Sequence, residues 1–135
     1  MGPDSKQILV IDDSALNRKY LEILLTNSGF RVHLAANGEE GLRKIETLHP
    51  DLVIMDVVMP NINGWEACRR IRAAIVNDSI PIVVITSKNT PQDMLQAFEV
   101  GANEFISKPI DESEMLAAVD RLLQRGEGSS VAQKA

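Results

Sequence analysis

The sequence predicts an α/β fold in which one parallel sheet of five strands is covered by helices on both faces. Short apolar runs alternate with amphipathic stretches of helical spacing from one end of the chain to the other. Alternation of this kind gives a parallel sheet, because parallel strands need crossover connections and these are usually helices. The length of 135 residues is near the usual size of one domain, so we expect a single core.

The first two strand–helix units are bounded by turn and capping residues. A strand at Gln7–Ile11 leads into a helix that Ser14 can cap. Helical spacing favours one apolar face on this helix, made of Leu16, Tyr20, Ile23 and Leu24. The second strand is predicted at 30–35 as an edge strand, because it is partly polar. The second helix ends at His49-Pro50, since the residue before proline avoids helical angles.

The other three units repeat this pattern. Strands are predicted at Leu52–Asp56, 80–85 and Glu104–Ser107, and the first two read as buried central strands. The fourth helix begins near Pro91 and is expected to bury Leu95 and Phe98. Helical spacing also defines the apolar faces of the third and last helices: Ala67, Ile71 and Ile75, then Met115, Leu116, Val119, Leu122 and Leu123.

Composition and charge argue against several functional classes. The net charge of −5 and the pI near 5.0 disfavour a nucleic-acid surface in this segment. No apolar run approaches the ~20 residues of a membrane span, and the first residues do not resemble a signal peptide. The single cysteine, Cys68, fits a reducing cytosol, so a cytoplasmic location is expected. We expect one domain at 6–125, with flexible tails at 1–5 and 126–135.

Five polar side chains stand where predicted strands end. Asp12 and Asp13 follow the first strand, Asp56 closes the third, Thr86 follows the fourth and Lys108 follows the fifth. Parallel strands end at one edge of the sheet, so we expect these side chains to gather there. Three carboxylates suit Mg²⁺, while a lysine and a hydroxyl suit phosphate oxygens. Asp56 is the natural nucleophile, since an aspartate can accept a phosphoryl group as an acyl phosphate.

These residues belong to a longer series of motifs that resembles the receiver domains of two-component response regulators, including the chemotaxis-type single-domain regulators. The resemblance covers about 6–124. Its motifs, in order, are Val10-Ile11-Asp12-Asp13-Ser14, Met55-Asp56-Val57-Val58-Met59-Pro60, Gly64, Ile85-Thr86, Gly101-Ala102 and Lys108-Pro109. The resemblance implies a flavodoxin-like (βα)5 doubly wound fold with strand order 2-1-3-4-5 and a cis Lys108–Pro109 bond.

The resemblance also implies the chemistry of the site. Asp56 would take a phosphoryl group from a sensor histidine kinase or a histidine phosphotransfer protein. Asp12, Asp13, Asp56 and the carbonyl of Val58 would hold Mg²⁺, for which Mn²⁺ can substitute. Lys108 and Thr86 would contact the phosphoryl group and sense it. The domain's own reactions would be limited to this self-directed transfer and autodephosphorylation, so it is not expected to be an enzyme in the ordinary sense.

The resemblance to receiver domains further implies a conformational switch and two residues that set the lifetime of the phosphoryl group. Thr86 would move toward the phosphoryl group while the ring of Phe105 rotates inward. Many relatives have tyrosine at the position of Phe105, so this chain keeps the ring but lacks the hydroxyl as a contact for a partner. Val58 and Lys88 occupy the two positions that tune phosphoryl lifetime in the family. Because the apolar Val58 cannot orient a water molecule, we expect a phosphoaspartate that is not especially short-lived.

The resemblance also implies an output surface, and two alternative functions remain open. The fourth helix, fifth strand and last helix would form the surface for a downstream partner or an attached output domain, in a monomer or a phosphorylation-dependent dimer. One alternative is a pseudo-receiver that binds without phosphorylation, although no site residue is lost. The other is a phosphatase of the haloacid dehalogenase type, which would need an aspartate where Val58 stands.

Overall fold

The computed structural model describes residues 5–57, 64–74, 80–87 and 90–123, and these form five strand–helix units. The strands are β1 (Gln7–Ile11), β2 (Arg31–Ala35), β3 (Leu52–Asp56), β4 (Ile82–Thr86) and β5 (Glu104–Ser107). The helices are α1 (Ala15–Asn27), α2 (Gly38–Leu48), α3 (Gly64–Ala74), α4 (Pro91–Glu99) and α5 (Glu112–Leu123). All four strand pairs are parallel, in the order β2-β1-β3-β4-β5. The predicted fold class and strand order are confirmed.

The sheet separates two apolar layers. Side chains alternate between the two faces of a strand, so Leu9 of β1 joins one layer and Ile8 joins the other. Residues of α2, α3 and α4 pack on the first face, and residues of α1 and α5 pack on the second. Every residue of β3 and β4 is buried, as continuous apolar runs predict for central strands. Cys68 lies fully buried in the first layer, where burial raises its thiol pKa to about 11.

The apolar face predicted for α1 is wrong in three of its four residues. Leu16, Tyr20 and Ile23 are exposed, with 78% of Leu16 accessible, whereas Leu24 is buried as predicted. The residues that α1 buries are Leu21, Leu24 and Leu25. The helix carries two overlapping apolar stripes at helical spacing, and periodicity alone does not say which of them meets the sheet.

The burial predicted for α4 is also wrong. Leu95 is 60% exposed and Phe98 is 47% exposed, and Ala97 is the buried residue of this helix. A small residue at the contact lets the helix backbone approach the sheet closely. The larger apolar side chains of α4 then lie to the side of this contact, where they remain exposed. The apolar pattern correctly indicated a helix, but it did not indicate which side chains the sheet covers.

The remaining differences concern element ends and residues outside the described ranges. β2 begins at Arg31 and β4 begins at Ile82, one and two residues later than predicted. The Lys108–Pro109 bond is cis, as the resemblance implied. Ile75 and the predicted tails, apart from Ser5, lie outside the described residues. Among helices in the described ranges, none has the length and apolar character that a bilayer crossing requires.

Candidate functional site

The carboxyl edge of the sheet brings three aspartates together. Asp12 directly follows β1, and Asp56 is the last residue of β3, the strand that pairs with β1. Carboxylate oxygens of Asp12, Asp13 and Asp56 all lie within 4.8 Å of one another. Asp12 and Asp56 are buried while Asp13 is exposed, so the cluster opens to solvent on the side of Asp13.

The first turn of α1 holds Asp12 in place. The backbone N–H of Ser14 donates to Asp12 Oδ1 at 2.9 Å, and Arg18 Nη1 donates to the Asp12 carbonyl oxygen at 2.7 Å. Asn17 Nδ2 lies 3.5 Å from Asp12 Oδ2. Ser14 caps the helix by accepting from the Asn17 N–H, which fixes the direction in which the helix leaves the site.

Lys108 supplies the cation beside these carboxylates. Its Nζ lies 2.9 Å from Asp56 Oδ2 and 3.6 Å from Asp12 Oδ2. The backbone N–H of Lys108 donates to the Thr86 carbonyl oxygen at 2.9 Å, so the end of β4 helps to position this lysine. The ammonium therefore bridges the two buried carboxylates from the side of β5.

Thr86 and Phe105 lie on the two strands beyond Asp56. Thr86 is fully buried at the end of β4, one residue past the partner of Asp56 in the strand register. Phe105 on β5 is partly buried and packs against the first apolar layer. Val58 and Lys88, which were predicted to tune phosphoryl lifetime, lie outside the described residues.

The backbone of Asp56 is packed directly against the start of α3. The Gly64 N–H donates to the Val57 carbonyl oxygen at 2.9 Å. A Cβ atom on Gly64 would contact Val57 Cα and would lie 2.7 Å from the Asp56 carbonyl oxygen. Only glycine leaves room for this approach. Trp65, the next residue, packs partly buried against the first apolar layer.

The electrostatics of the cluster favour an added cation. Burial raises the pKa of Asp12, and the neighbouring charges of Asp56 and Asp13 raise it further, against the Ser14 N–H and Lys108. Burial alone would lower the pKa of Lys108, but its hydrogen bond with Asp56 and the charge of Asp12 outweigh this effect and raise it. The ammonium of Lys108 therefore contacts two of the three carboxylates, and the third, that of Asp13, lies beside them. A donor set of hard oxygens with excess negative charge fits Mg²⁺.

We expect Asp12→Asn to stabilise the metal-free protein at pH 7, with Tm increased by a few degrees. Because the Asp12 pKa is raised above 3.8, the unfolded chain releases this proton first as pH increases. Stability is therefore lost with increasing pH in that range, and the variant escapes the loss. Thermal unfolding in chelator from pH 4 to 7 measures this effect. A Tm at pH 7 that is lower in the variant than in the wild type would contradict this prediction. When Mg²⁺ is added, it should stabilise the wild type more than the variant.

Two residues near Asp12 were missed by the sequence reasoning, namely Asn17 and Arg18. A signal for Asn17 was present, because a polar residue three positions after an N-cap serine reaches back toward the helix start. The contact of Arg18 with the Asp12 carbonyl depends on the angle between β1 and α1, which no sequence pattern reports.

Comparisons with known proteins agree on one family. The family model for the response regulator receiver domain matches residues 8–120. The chain is 39% identical over 123 residues to the transcriptional regulatory protein AfsQ1 of Streptomyces coelicolor, covering 91% of this chain and 53% of AfsQ1. It is 37% identical over 119 residues to the response regulator ArlR of Staphylococcus aureus, covering 88% of this chain and 53% of ArlR. The chain thus spans about half the length of these curated relatives.

A solved structure gives the same result for the fold. The chemotaxis protein CheY4 of Vibrio cholerae superimposes with a TM-score of 0.83 at 29% identity. The match covers 87% of this chain and 98% of the CheY4 chain. The similarity therefore extends over nearly all of that chain rather than over a shared fragment.

Proposed function

This chain belongs to the family of response regulator receiver domains, and from that membership we propose that it is a phosphorylation-dependent switch with Asp56 as phosphoryl acceptor. The observation that carries the proposal is the position of Asp56 Oδ2, which lies 2.9 Å from Lys108 Nζ beside two further carboxylates. A nucleophile for phosphoryl transfer needs neighbouring positive charge, because it must approach an anionic group. The receiver family provides the general function, and this geometry supports the assignment of Asp56.

In the proposed reaction, a carboxylate oxygen of Asp56 forms a bond to phosphorus as the bond from phosphorus to the donor breaks. With phosphohistidine as donor, the leaving imidazole nitrogen keeps the electron pair and takes a proton from solvent. Lys108 offsets charge on the transferred group, and the Thr86 hydroxyl can donate to one of its oxygens. The product is an aspartyl phosphate, which water later hydrolyses.

We assign the metal site to Asp12, Asp13 and Asp56, together with the carbonyl of Val58 by analogy with the family. Asp13 is the exposed member of the cluster, so its carboxylate is the one most accessible to an entering cation. Mg²⁺ bound there would neutralise charge on the phosphoryl oxygens, and Mn²⁺ could substitute for it. Asp12 then serves as a ligand whose orientation the first turn of α1 has already set.

The proposed partners follow from two-component signalling. A sensor histidine kinase or a histidine phosphotransfer protein in the cytoplasm would donate the phosphoryl group. The α4–β5–α5 surface would then act on a separate protein or on an attached output domain, in a monomer or a phosphorylation-dependent dimer. The name of AfsQ1 indicates transcriptional output in that relative, and the matched region covers about half of it.

The proposed domain extent and phosphoryl lifetime depend on residues at or beyond the described ranges. We assign the domain to 6–125, close to the matched region of 8–120. Val58 and Lys88 are proposed to set the lifetime. Val58 lacks a polar group to orient the attacking water, which favours slow hydrolysis, and Lys88 could contact the phosphoryl group or a partner.

The proposal is tested by an intact-mass time course with a small-molecule phosphodonor, in Mg²⁺ and in chelator. We expect the wild-type protein to gain one phosphoryl group in Mg²⁺ and none in chelator. No gain in Mg²⁺ from the small donor or from any histidine phosphotransfer protein would contradict the proposal and favour the pseudo-receiver alternative. Continuous release of inorganic phosphate from an added phosphomonoester would instead favour the phosphatase alternative.

Asp13→Ala is expected to reduce the phosphorylation rate at least about 100-fold at a Mg²⁺ concentration that half-saturates the wild type. Because the Asp13 carboxylate is exposed and its proposed role is in metal binding, its loss should not lower Tm when the metal is removed by chelator. Mn²⁺ binding measured by calorimetry should weaken in parallel. Asp120→Ala removes an acidic group from the exposed side of α5 and serves as the control. Equal Mn²⁺ affinity in Asp13→Ala and Asp120→Ala would contradict the assignment.

A further inference from the structure

α4 has few apolar anchors along its length. Met94, Leu95 and Phe98 are all exposed, and Ala97 is the residue that this helix buries. At its start, Thr90 and Asp93 form a capping box with each other, which closes the helix on itself rather than onto a neighbouring element. Side-chain packing in the described residues therefore holds the body of α4 weakly against the sheet.

The carboxyl end of α4 is held differently, by two side chains of α3. Cys68 Sγ donates to the Val100 carbonyl oxygen at 3.3 Å. Arg72 donates to the next carbonyl, that of Gly101, from Nε at 3.0 Å and from Nη2 at 2.7 Å. Cys68 and Arg72 are one helical turn apart on α3, so one face of α3 contacts both carbonyls.

Arg72 also connects this helix end to the beginnings of β4 and β5. Its Nη1 donates to the Ile80 carbonyl oxygen at 2.7 Å, and its Nη2 lies 2.6 Å from Asn103 Oδ1. The same Asn103 oxygen accepts the Ile82 N–H at 2.9 Å. A single guanidinium therefore joins α3 to both strands and to the turn between α4 and β5.

The backbone conformation of Gly101 allows its close contact with Arg72. Its φ of +108° lies in the region that favours glycine, and it lets the chain reverse direction after α4. A Cβ atom at this position would lie 2.7 Å from Arg72 Cγ and 2.9 Å from Arg72 Nε. The Arg72 side chain thus lies directly against the turn as well as donating to its carbonyl.

We propose that Arg72 is a positioning residue that fixes the carboxyl end of α4, so that phosphorylation at Asp56 moves the rest of the helix about this fixed end. The set of bonds from Arg72 to Gly101, Ile80 and Asn103 is the Arg72 tether. The tether lies at the edge of the sheet opposite the acidic cluster, away from the reacting atoms. The inference rests on the proposed function only for the movement, because the tether itself is present without phosphorylation.

The tether is tested by amide hydrogen exchange, followed by NMR, in Arg72→Ala. The amides of Gly101 and Ala102, which donate to Phe98 and Ala97 at the helix end, should exchange at least about tenfold faster than in the wild type. Arg70→Ala is the matched control, because Arg70 lies on the same helix and pairs with Glu66 on its exposed side. In Arg72→Lys, the exchange rates of these two amides should lie between those in Arg72→Ala and those in Arg70→Ala, because lysine keeps the positive charge but not the paired N–H donors.

The positioning role is tested by adding Mg²⁺ and beryllofluoride, a mimic of the aspartyl phosphate. In the wild type, exchange should change by at least about threefold at the amides of Asp93 and Met94, which donate to Thr90 at the start of α4, while Gly101 and Ala102 stay protected. In Arg72→Ala, both ends of α4 should respond, although the intact-mass rate of phosphorylation stays within about twofold of the wild type. A purely structural role would change basal exchange and Tm but not this distribution of the response.

Two results would overturn the inference. One is exchange at Gly101 and Ala102 that is as slow in Arg72→Ala as in Arg70→Ala. The other is loss of protection at these amides when the wild type binds beryllofluoride. If the protein neither binds beryllofluoride nor gains phosphate, the proposed function fails and the movement fails with it. The comparison of Arg72→Ala with Arg70→Ala in untreated protein still decides whether the tether exists.

Discussion

Asp56→Asn is expected to gain no phosphoryl group under conditions in which the wild type is fully modified. An amide has no carboxylate oxygen to attack phosphorus, so the reaction loses its nucleophile. The substituted side chain would keep one oxygen that can accept from Lys108 Nζ, and the fold should remain intact. Intact mass spectrometry with a small phosphodonor and Mg²⁺ measures the gain directly.

A matched control separates this effect from a general loss of negative charge. Asp120→Asn makes the same chemical change on the exposed side of α5, and it should be phosphorylated at the wild-type rate. Thermal unfolding of both variants would show that each is folded. A normal rate of mass gain in Asp56→Asn would contradict the assignment of the nucleophile, and the acceptor would then be sought at Asp12 or Asp13.

Gly64→Ala is expected to destabilise the protein by about 3 kcal/mol or more. The new methyl group would press on Val57 Cα and on the Asp56 carbonyl oxygen, which are backbone atoms of a buried strand end and cannot rotate away. A shift of this backbone also displaces the Asp56 carboxylate, so phosphorylation should slow about tenfold to 100-fold. Denaturant unfolding and the intact-mass time course measure the two effects.

Gly41→Ala provides the comparison for this effect. A Cβ atom on Gly41 would press mainly on the side chain of Ile11, which can adjust, and alanine favours the α2 helix by up to about 1 kcal/mol. This variant should therefore lose no more than about 2 kcal/mol and keep its phosphorylation rate. Equal stability losses in the two variants, with normal phosphorylation in both, would contradict the role given to Gly64.

The strands and the position of the site could be predicted because both depend on local signals. Continuous apolar runs indicated the buried strands β3 and β4, and the polar residue that ends each run indicated the carboxyl edge of the sheet. Parallel pairing then places Asp12 next to Asp56 whatever the details of the helices. The cis Lys108–Pro109 bond followed from the family resemblance rather than from these signals.

The helix faces could not be predicted equally well, because an amphipathic pattern does not identify its partner. On α1 both the stripe containing Leu16 and the stripe containing Leu21 have helical spacing, and only the second meets the sheet. On α4 the small Ala97 makes the buried contact, although hydropathy favours Leu95 and Phe98. Burial of these residues depends on how each helix lies over the sheet, which is a property of the assembled domain.

Arg72 illustrates a contact that sequence reasoning missed although part of its signal was present. It lies one helical turn after the buried Cys68, so it had to face the protein rather than solvent. An arginine in that place needs several acceptors, and backbone carbonyls in the turn after α4 and just before β4 supply them. The identity of those carbonyls, at Gly101 and Ile80, depends on long-range contacts between α3 and the strands.

Locating the phosphoryl group on the chain tests the assignment of Asp56 as the acceptor. Borohydride reduces an aspartyl phosphate to homoserine, which marks the modified residue. Trypsin separates the candidates, because Asp56 lies between Lys44 and Arg69 and Asp12–Asp13 lie between Lys6 and Arg18. In protein phosphorylated in the presence of Mg²⁺, we expect homoserine at residue 56 only. Homoserine at residue 12, 13 or 51, or at no residue of a protein that has gained phosphate, would contradict this assignment.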